Sequence, residues 1–510
     1  MYMRYILLLL LAVAIIAGCN SEDKKEQPPT AKPNFVFLFA DDFTFDAVRA
    51  YGNGIVHTPN LDRLAQAGVT FTNAYNMGGW HGAICVASRS MIMSGVSLWP
   101  ARKVEQSWIE SDGQRVDQCW GKLLEANGYD TYMTGKWHIR AAADKAFKFT
   151  KDVRPGGMPK DYWVGNDTIG KLIADTYNMG GDLGKVLPLG YNRPKSNSDT
   201  LWSAADPTNG GYWEGGTHWS EVVKNNALEF IQQASAKENP FFMYLAFNAP
   251  HDPRQAPQEF LDMYPIDQIP LPPSYLPEYP YKDSIGCTPT LRDEALAPFP
   301  RTEFAIKTHI REYYAIISHL DQQIGEIIDA LEASGNIENT YIFFTGDHGL
   351  SVGRHGLVGK QSLFDHSIRV PLMMTGPKIP ANTKLNADVY LQDIMPTTLQ
   401  LAGVDKPSQV FFNSFLDLAQ GKQKESNYPA IYGAYVNFQR MIRKDGFKLV
   451  VYPKIDKLLL FDLEEDPNEI NDLSNDPEYT DRLQILFNDL IALQREMEDP
   501  LVLNSSRLMD

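Results

Sequence analysis

Cysteine is scarce in this sequence, 4 in 510 residues. That excludes a disulfide scaffold, and a chain of this length buries a full core without cross-links. Basic charge is also short. Lys and Arg total 47 against 63 Asp and Glu, a net charge of −16 at pH 7. Proteins that track nucleic-acid phosphates present basic faces, so nucleic acid is excluded as a partner. Internal repeats and low-complexity tracts are absent as well. What remains is 44% hydrophobic and 22% charged, with 25 Phe, 24 Tyr and 9 Trp: a large, acidic, aromatic-rich globular chain. At roughly 150 residues per domain the length allows three domains, or one large α/β domain with a smaller companion.

The first 18 residues, MYMRYILLLLLAVAIIAG, carry one Arg and a continuous apolar run. That is the grammar of a secretory signal, too short for a membrane span. Ile16-Ala17-Gly18-Cys19 resembles a bacterial lipobox, in which Cys19 is lipid-modified; cleavage near Ala17 with an incidental cysteine is the plain alternative. Residues 19–33 then form a charged, Pro-bearing tether. The expectation is an exported bacterial lipoprotein of the periplasm or outer-membrane surface, meeting the membrane only through its anchor.

Beyond the tether, Asn34–Ala40 is an apolar run without polar alternation, the pattern of a strand buried on both faces. It ends in Asp41-Asp42. Two further runs, 341–344 and 240–247, end in Thr345-Gly-Asp-His-Gly349 and Asn248-Ala-Pro-His251. Helical periodicity covers 61–67, 119–127, 219–235 and 303–333. Strand, polar cluster and helix in repetition predict a doubly wound α/β fold, a large, mostly parallel sheet sandwiched by helices. Its ligand site lies beyond the carboxyl ends of the strands, where the polar clusters fall. From Tyr428 onward the texture changes to short strands at 430–435, 439–443, 447–452 and 457–461, followed by an amphipathic helix over 481–497. The domain expectation is therefore 34–426 for a catalytic domain and 427–510 for a smaller antiparallel sheet with a helix. Residues 140–216 lack periodicity and read as a surface excursion.

Adjacent carboxylates at the end of a buried strand are costly unless a cation or donors neutralise them, although helix capping is an ordinary alternative. Asp347-His348 at a second strand end adds to Asp41-Asp42. Oxygen-rich ligands of this kind suit a hard divalent ion, Ca²⁺ with Mg²⁺ as the alternative, better than zinc. Cys85 precedes Ser88–Ser94, which opens a helix; beside Arg89 it is either an activated residue or an inert buried thiol. Lys136 and His138 point the same way if their segment is extended. His251 and Lys360 add donors, and the set suits a tetrahedral oxyanion.

Cys85-x-Ala-Ser-Arg89 resembles the maturation motif of type I sulfatases, whose cysteine becomes formylglycine; many members carry Pro where Ala87 stands. Thr58-Pro-Asn-Leu-Asp-Arg-Leu-Ala65, Gly135-Lys-Trp-His138, Thr345–Gly349 and Leu460–Pro467 extend the resemblance along the mature chain in family order. It implies an alkaline-phosphatase-like fold and a formylglycine-generating maturation enzyme as partner. It also implies one Ca²⁺ held by Asp41, Asp42, Asp347, His348 and residue 85. His348 departs from the Asn of many members. Arg89 would hold the formylglycine hydrate, Asp347 take its proton, and Lys136, His138, His251 and Lys360 grip sulfate and move protons. The leaving oxygen is protonated by His251 or a lysine, and His138 serves the second hydroxyl of the hydrate.

A formylglycine phosphonate monoester or phosphodiester hydrolase is the nearest rival, and a non-catalytic glycan-binding lipoprotein is a rival of another class. The expected substrate is a sulfated polysaccharide or oligosaccharide, of algal or host origin. Candidate sugar contacts are Trp80, His81, His218, Arg254 and Gln255. Cys119 and Cys287 are left as ordinary thiols, and their pairing in an oxidising compartment stays open.

Overall fold

The structure is a computed structural model that describes residues 32–157 and 167–504. The expected signal, Cys19 and nearly all of the tether lie outside the described residues.

In chain order the strands are β1 (Asn34–Ala40), β2 (Val69–Tyr75), β3 (Gly78–Gly79), β4 (Asp130–Lys136), β5 (Phe149–Arg154), β6 (Trp213–Glu214), β7 (Thr217–His218) and β8 (Phe241–Ala246), then β9 (Thr340–Gly346), β10 (Arg369–Thr375), β11 (Thr383–Leu385), β12 (Val389–Tyr390), β13 (Ile431–Tyr435), β14 (Gln439–Lys444), β15 (Phe447–Tyr452) and β16 (Lys457–Asp462). The large sheet runs β11-β2-β10-β9-β1-β8-β4-β5, with β12 beside β2. Its middle, β9-β1-β8-β4-β5, is parallel throughout. Among the described residues, β10 alone in this sheet runs against its neighbours, β9 and β2.

Side chains alternate across the sheet, and both faces are buried. Phe35, Phe37 and Phe39 of β1 enter one core with Phe242 and Tyr244 of β8. Val36, Leu38 and Ala40 enter the opposite core with Met243 and Leu245. A strand pressed between two helical layers can have no polar face, and that is why these runs are continuous. The second core is covered by the helices Trp219–Ser235 and Glu303–Ala333, the latter capped by the Thr302 hydroxyl accepting from the Ala305 N–H.

The smaller sheet is ordered β16-β15-β14-β13-β3 and is backed by the helix Thr480–Glu496, whose Leu483, Leu486 and Leu490 are buried against it. Its last strand is not C-terminal. Gly78-Gly79 pairs with Ala434 and Tyr435, tying the loop ahead of Cys85 to the far end of the chain. Only glycine fits there: Gly78 has φ +89, and a Cβ would stand 2.1 Å from the Ala434 carbonyl oxygen.

One expectation is corrected, and one open question is answered. Residues 140–216 are not wholly an excursion, since Phe149–Arg154 forms the edge strand β5 of the large sheet and Asp167–Asn178 is a helix. The strand was hidden because its burial lacks a two-residue period, being half-buried or exposed along its length. Cys119 and Cys287 are both free and buried, one in the aromatic core under the large sheet and the other in the core of the small sheet. Separate cores leave no route to a bridge.

Candidate active site

The carboxyl ends of β1, β4, β8 and β9 stand side by side in the sheet, so the residues just after them converge. Asp41 and Asp42 follow β1, Asp347 and His348 follow β9, Lys136 closes β4, and His251 lies in the loop after β8. The helix Ile84–Ser94 points its first turn into this space, with Cys85 as its second residue and Arg89 one turn on. Asp42 (φ 64) and His138 (φ 58) both hold left-handed backbone that non-glycine residues seldom adopt. His138 therefore reaches the site from a turn, not from the extended segment expected. Such conformations concentrate at functional centres.

Asp41, Asp42, Asp347 and His348 are wholly buried. Arg89 donates through Nε to Asp347 (2.8 Å) and through a terminal nitrogen to the Lys136 carbonyl (2.8 Å). Lys136 bonds Asp41. Lys360 donates to both oxygens of Asp42, at 2.8 and 3.1 Å. The Asp42 N–H donates to Asp347 (3.1 Å), which locks the two strand ends together. The Cys85 Sγ lies 3.2 Å from Nδ1 of His138.

Three carboxylates thus face three cations, all six side chains buried. Burial drives the Asp42 carboxyl well above its usual range, and Lys360 only partly offsets this. Burial also pushes Asp347 up, but His348, Arg89 and Lys136 outweigh it and hold the acid low. For Cys85 the balance runs the same way: burial raises the thiol, and Lys136 and Lys360 bring it below its ordinary value. Burial first and Lys136 second depress His138, and burial with Lys360 depresses His251, so both imidazoles are neutral.

One oxygen of Asp41 and Nε2 of His348 are buried without a hydrogen-bond partner. Donor atoms of Asp41, Cys85, Asp347 and His348 all lie within 4.8 Å of one another, as do those of Asp41, Asp42 and His251. Orphaned buried acceptors around a common point are what a cation satisfies, so these residues fit a divalent ion.

All ten residues expected to carry the chemistry meet here. Trp80 and His81 sit in the loop just before the Cys85 helix, at its mouth; Trp80 donates to Glu105 (3.0 Å). Three of the expected sugar contacts are buried in the packing. His218 is buried, caps the Trp219–Ser235 helix by accepting from the Ser220 N–H (3.2 Å), and stacks on Tyr212. Arg254 is buried, with one nitrogen bonded to His309 (2.9 Å) and the other two without a hydrogen-bond partner among the described residues, and Gln255 accepts from the Tyr212 N–H (2.9 Å).

Sequence reasoning missed Arg292, Asp293 and Gln361. Arg292 lies 2.8 Å from Nε2 of His251 and 2.7 Å from Asp293, while Gln361 joins Asp293 (2.8 Å) to the Gly82 carbonyl (3.0 Å). They come from aperiodic loops, where nothing local separates a site residue from a solvated one.

The sequence model of the family described as sulfatase matches residues 33–404, and that of the N-sulphoglucosamine sulphohydrolase C-terminal region matches 353–496. The chain is 24% identical over 567 residues to an N-acetylglucosamine-6-O-sulfatase of Bacteroides thetaiotaomicron, covering 97% of this chain and 91% of that one. Its fold is similar to that of a protein solved in complex with its substrate D-glucosamine-2-N,6-O-disulfate, with TM-score 0.67 and 21% identity over 92% of this chain and 99% of the other. It is also similar to the phosphonate monoester hydrolase of Agrobacterium radiobacter, with TM-score 0.67 and 21% identity over 91% and 96%.

Proposed function

This chain belongs to the sulfatase family and is a sulfuric ester hydrolase, and on that premise we propose that it desulfates sulfated carbohydrates through residue 85 matured to formylglycine. Asp41, Asp42, Asp347 and His348 would hold one divalent ion, Ca²⁺ in preference to Mg²⁺. The observation that carries the reading is the position of Cys85: second residue of an eleven-residue helix, ringed by Arg89, Lys136, Lys360 and three buried carboxylates.

The aldehyde of formylglycine supplies a hydrate hydroxyl as nucleophile and a route for expelling sulfate, and the ion supplies positive charge beside it. The chain's own residues do the rest. Lys136 and Lys360 would offer ammonium charge to the non-bridging oxygens of a sulfate ester. Arg89, pinned to Asp347 and to the end of β4, fixes the side of residue 85 that faces the carboxylates. His138, neutral and 3.2 Å from the Cys85 sulfur, is placed to take a proton from residue 85. His251 is placed to serve the leaving oxygen. Its Nδ1 lies 2.6 Å from the Asp252 carbonyl, which fixes the ring, and Nε2 points at Arg292. Trp80 and His81 would meet the sugar. Residues 1–33 would export the chain and anchor it through Cys19 to a bacterial outer or periplasmic surface.

Peptide mass across Gly82–Arg89 tests the nucleophile: loss of sulfur and gain of an aldehyde at residue 85 is expected, and an unmodified thiol in active enzyme would sink it. Parallel assays with sulfate, phosphate and phosphonate esters of one phenol decide against the hydrolase rival, which the Agrobacterium radiobacter fold keeps in view. Sulfate ester turnover is expected to lead by more than tenfold.

A further inference from the structure

A trough of about 720 Å³ opens beside the nucleophile loop, bounded by Trp80, His81, Trp99, Arg102 and Lys103 and closed by the turn at Glu498. Its volume lies in the ~300–1,000 Å³ range of small-ligand sites. It belongs to neither the carboxylate cluster nor the sulfate-gripping lysines. Trp99, Arg102, Lys103 and Gln106 lie on one face of the helix Leu98–Glu110, at spacings of three and four. The loop bearing Trp80 and His81 forms the opposite wall, and β3 clamps that loop to the small sheet.

The charges here are unevenly used. Lys103 is bonded to Glu498, and Glu105 accepts the Trp80 indole N–H. Arg102 and Arg140 are exposed, and among the described residues neither makes an ion pair or a side-chain hydrogen bond. Both nevertheless stand near enough to His81 and Glu105 to act on their ionisation. Arg140 is two residues beyond His138, and His138 in turn acts on His81. One unpaired guanidinium, Arg102, therefore lines the trough, and a second, Arg140, acts on its His81 and Glu105 from outside the lining, on a chain of net charge −16. Unpaired and lying at the trough, these two are open to an anionic ligand. Guanidinium matches the planar oxygens of sulfate and carboxylate in bidentate fashion.

We propose that this trough is an accessory subsite that seats a second, anionic sugar unit, sulfated or uronate, next to the unit being desulfated, with Arg102 and Arg140 as its anion contacts. The inference rests on the carbohydrate sulfatase reading above and narrows it to substrates carrying at least two negative charges on adjacent units.

The test separates the two readings by using binding for one and turnover for the other. Full-length Cys85→Ala protein is titrated calorimetrically with size-matched oligosaccharides from ulvan, carrageenan and heparin that differ in their number of anionic groups. The tightest ligand is expected to carry two or more charges and to bind at least tenfold more weakly to protein with Arg102→Gln and Arg140→Gln added. An Arg115→Gln control, which removes an exposed charge beyond the helix, should leave its affinity unaltered. The subsite is overturned if the double variant binds the panel as the control does, if affinity does not follow charge number, or if no member binds. Failure of the catalytic reading shows elsewhere, as absence of any sulfate ester turnover by protein whose residue 85 is verified as formylglycine.

Discussion

Arg89 is the residue on which the site's geometry hangs. It is 1% exposed and uses two of its nitrogens on Asp347 and the Lys136 carbonyl, joining the ends of β9 and β4. Removing one member of a buried charge pair strands the other, at about 3–5 kcal/mol. Arg89→Ala is therefore expected to lower the melting temperature and reduce kcat by more than a hundredfold. Arg89→Lys should not restore activity, because a point charge cannot make both bonds. Wild-type kcat in the lysine variant would show that charge alone suffices. Asp393 offers a pH test away from the site. Burial pushes its carboxyl up to about 8, despite hydrogen bonds from Tyr428, Tyr390 and Asn413. A raised acid binds its proton in the fold and loses it on unfolding, so its contribution is complete below about pH 4 and is lost as pH rises through 8. The melting temperature should fall over that window, and Asp393→Asn should flatten the fall. A parallel curve in the variant would remove Asp393 as the cause.

At the scale of elements, the informative feature is close approach between strands. Gly135 in β4 has φ +91, and a Cβ there would lie 1.8 Å from the Ala246 oxygen of β8. The register between β4 and β5 shifts at the same point, between Thr134 and Gly135. That irregularity turns the chain so that Lys136 reaches Asp41 and His138 reaches Cys85. Gly135→Ala is expected to destabilise by more than about 2 kcal/mol and to depress kcat together with stability, read by thermal melting and turnover on the same preparation. A stable variant with full turnover would show that the strand end tolerates displacement. Three strands and two long helices of the parallel core were legible in the sequence because their patterns are local: 34–40, 219–235 and 303–333 are strand or helix at the bounds their patterns set, while β4, broken by Thr and Gly, was not. β5 and β10 were not. β5 is half-exposed along its length, and β10 carries Pro371 and a register break against β2. The pairing of Gly78-Gly79 with β13 spans more than 350 residues, and no local pattern announces it.

Over the whole molecule, the site joins segments from residue 41 to residue 360, so whatever occupies it staples the large sheet. A bound ion stabilises the fold by mass action, about 2.7 kcal/mol when its free concentration is a hundred times Kd. EDTA is accordingly expected to lower the melting temperature by several degrees and abolish turnover. Both should return with Ca²⁺ more fully than with Zn²⁺, since carboxylate oxygens dominate the donor set. Unchanged melting in chelator would argue that Lys136, Lys360 and Arg89 neutralise the carboxylates by themselves. By itself the sequence determined the chemical inventory and its neighbourhood. Asp41-Asp42, Asp347-His348 and His251 follow apolar runs, and in a parallel sheet such positions share one edge whatever the strand order. Tertiary structure decided which of the remaining polar groups belong. It drew Arg292, Asp293 and Gln361 in from loops, placed His218, Arg254 and Gln255 in the packing, and, among the described residues, left Arg102 and Arg140 unpaired near His81 and Glu105. Periodicity is a property of neighbours along the chain. Convergence depends on the order of strands in the sheet and on which loops fold back over their ends, and long-range packing alone sets both.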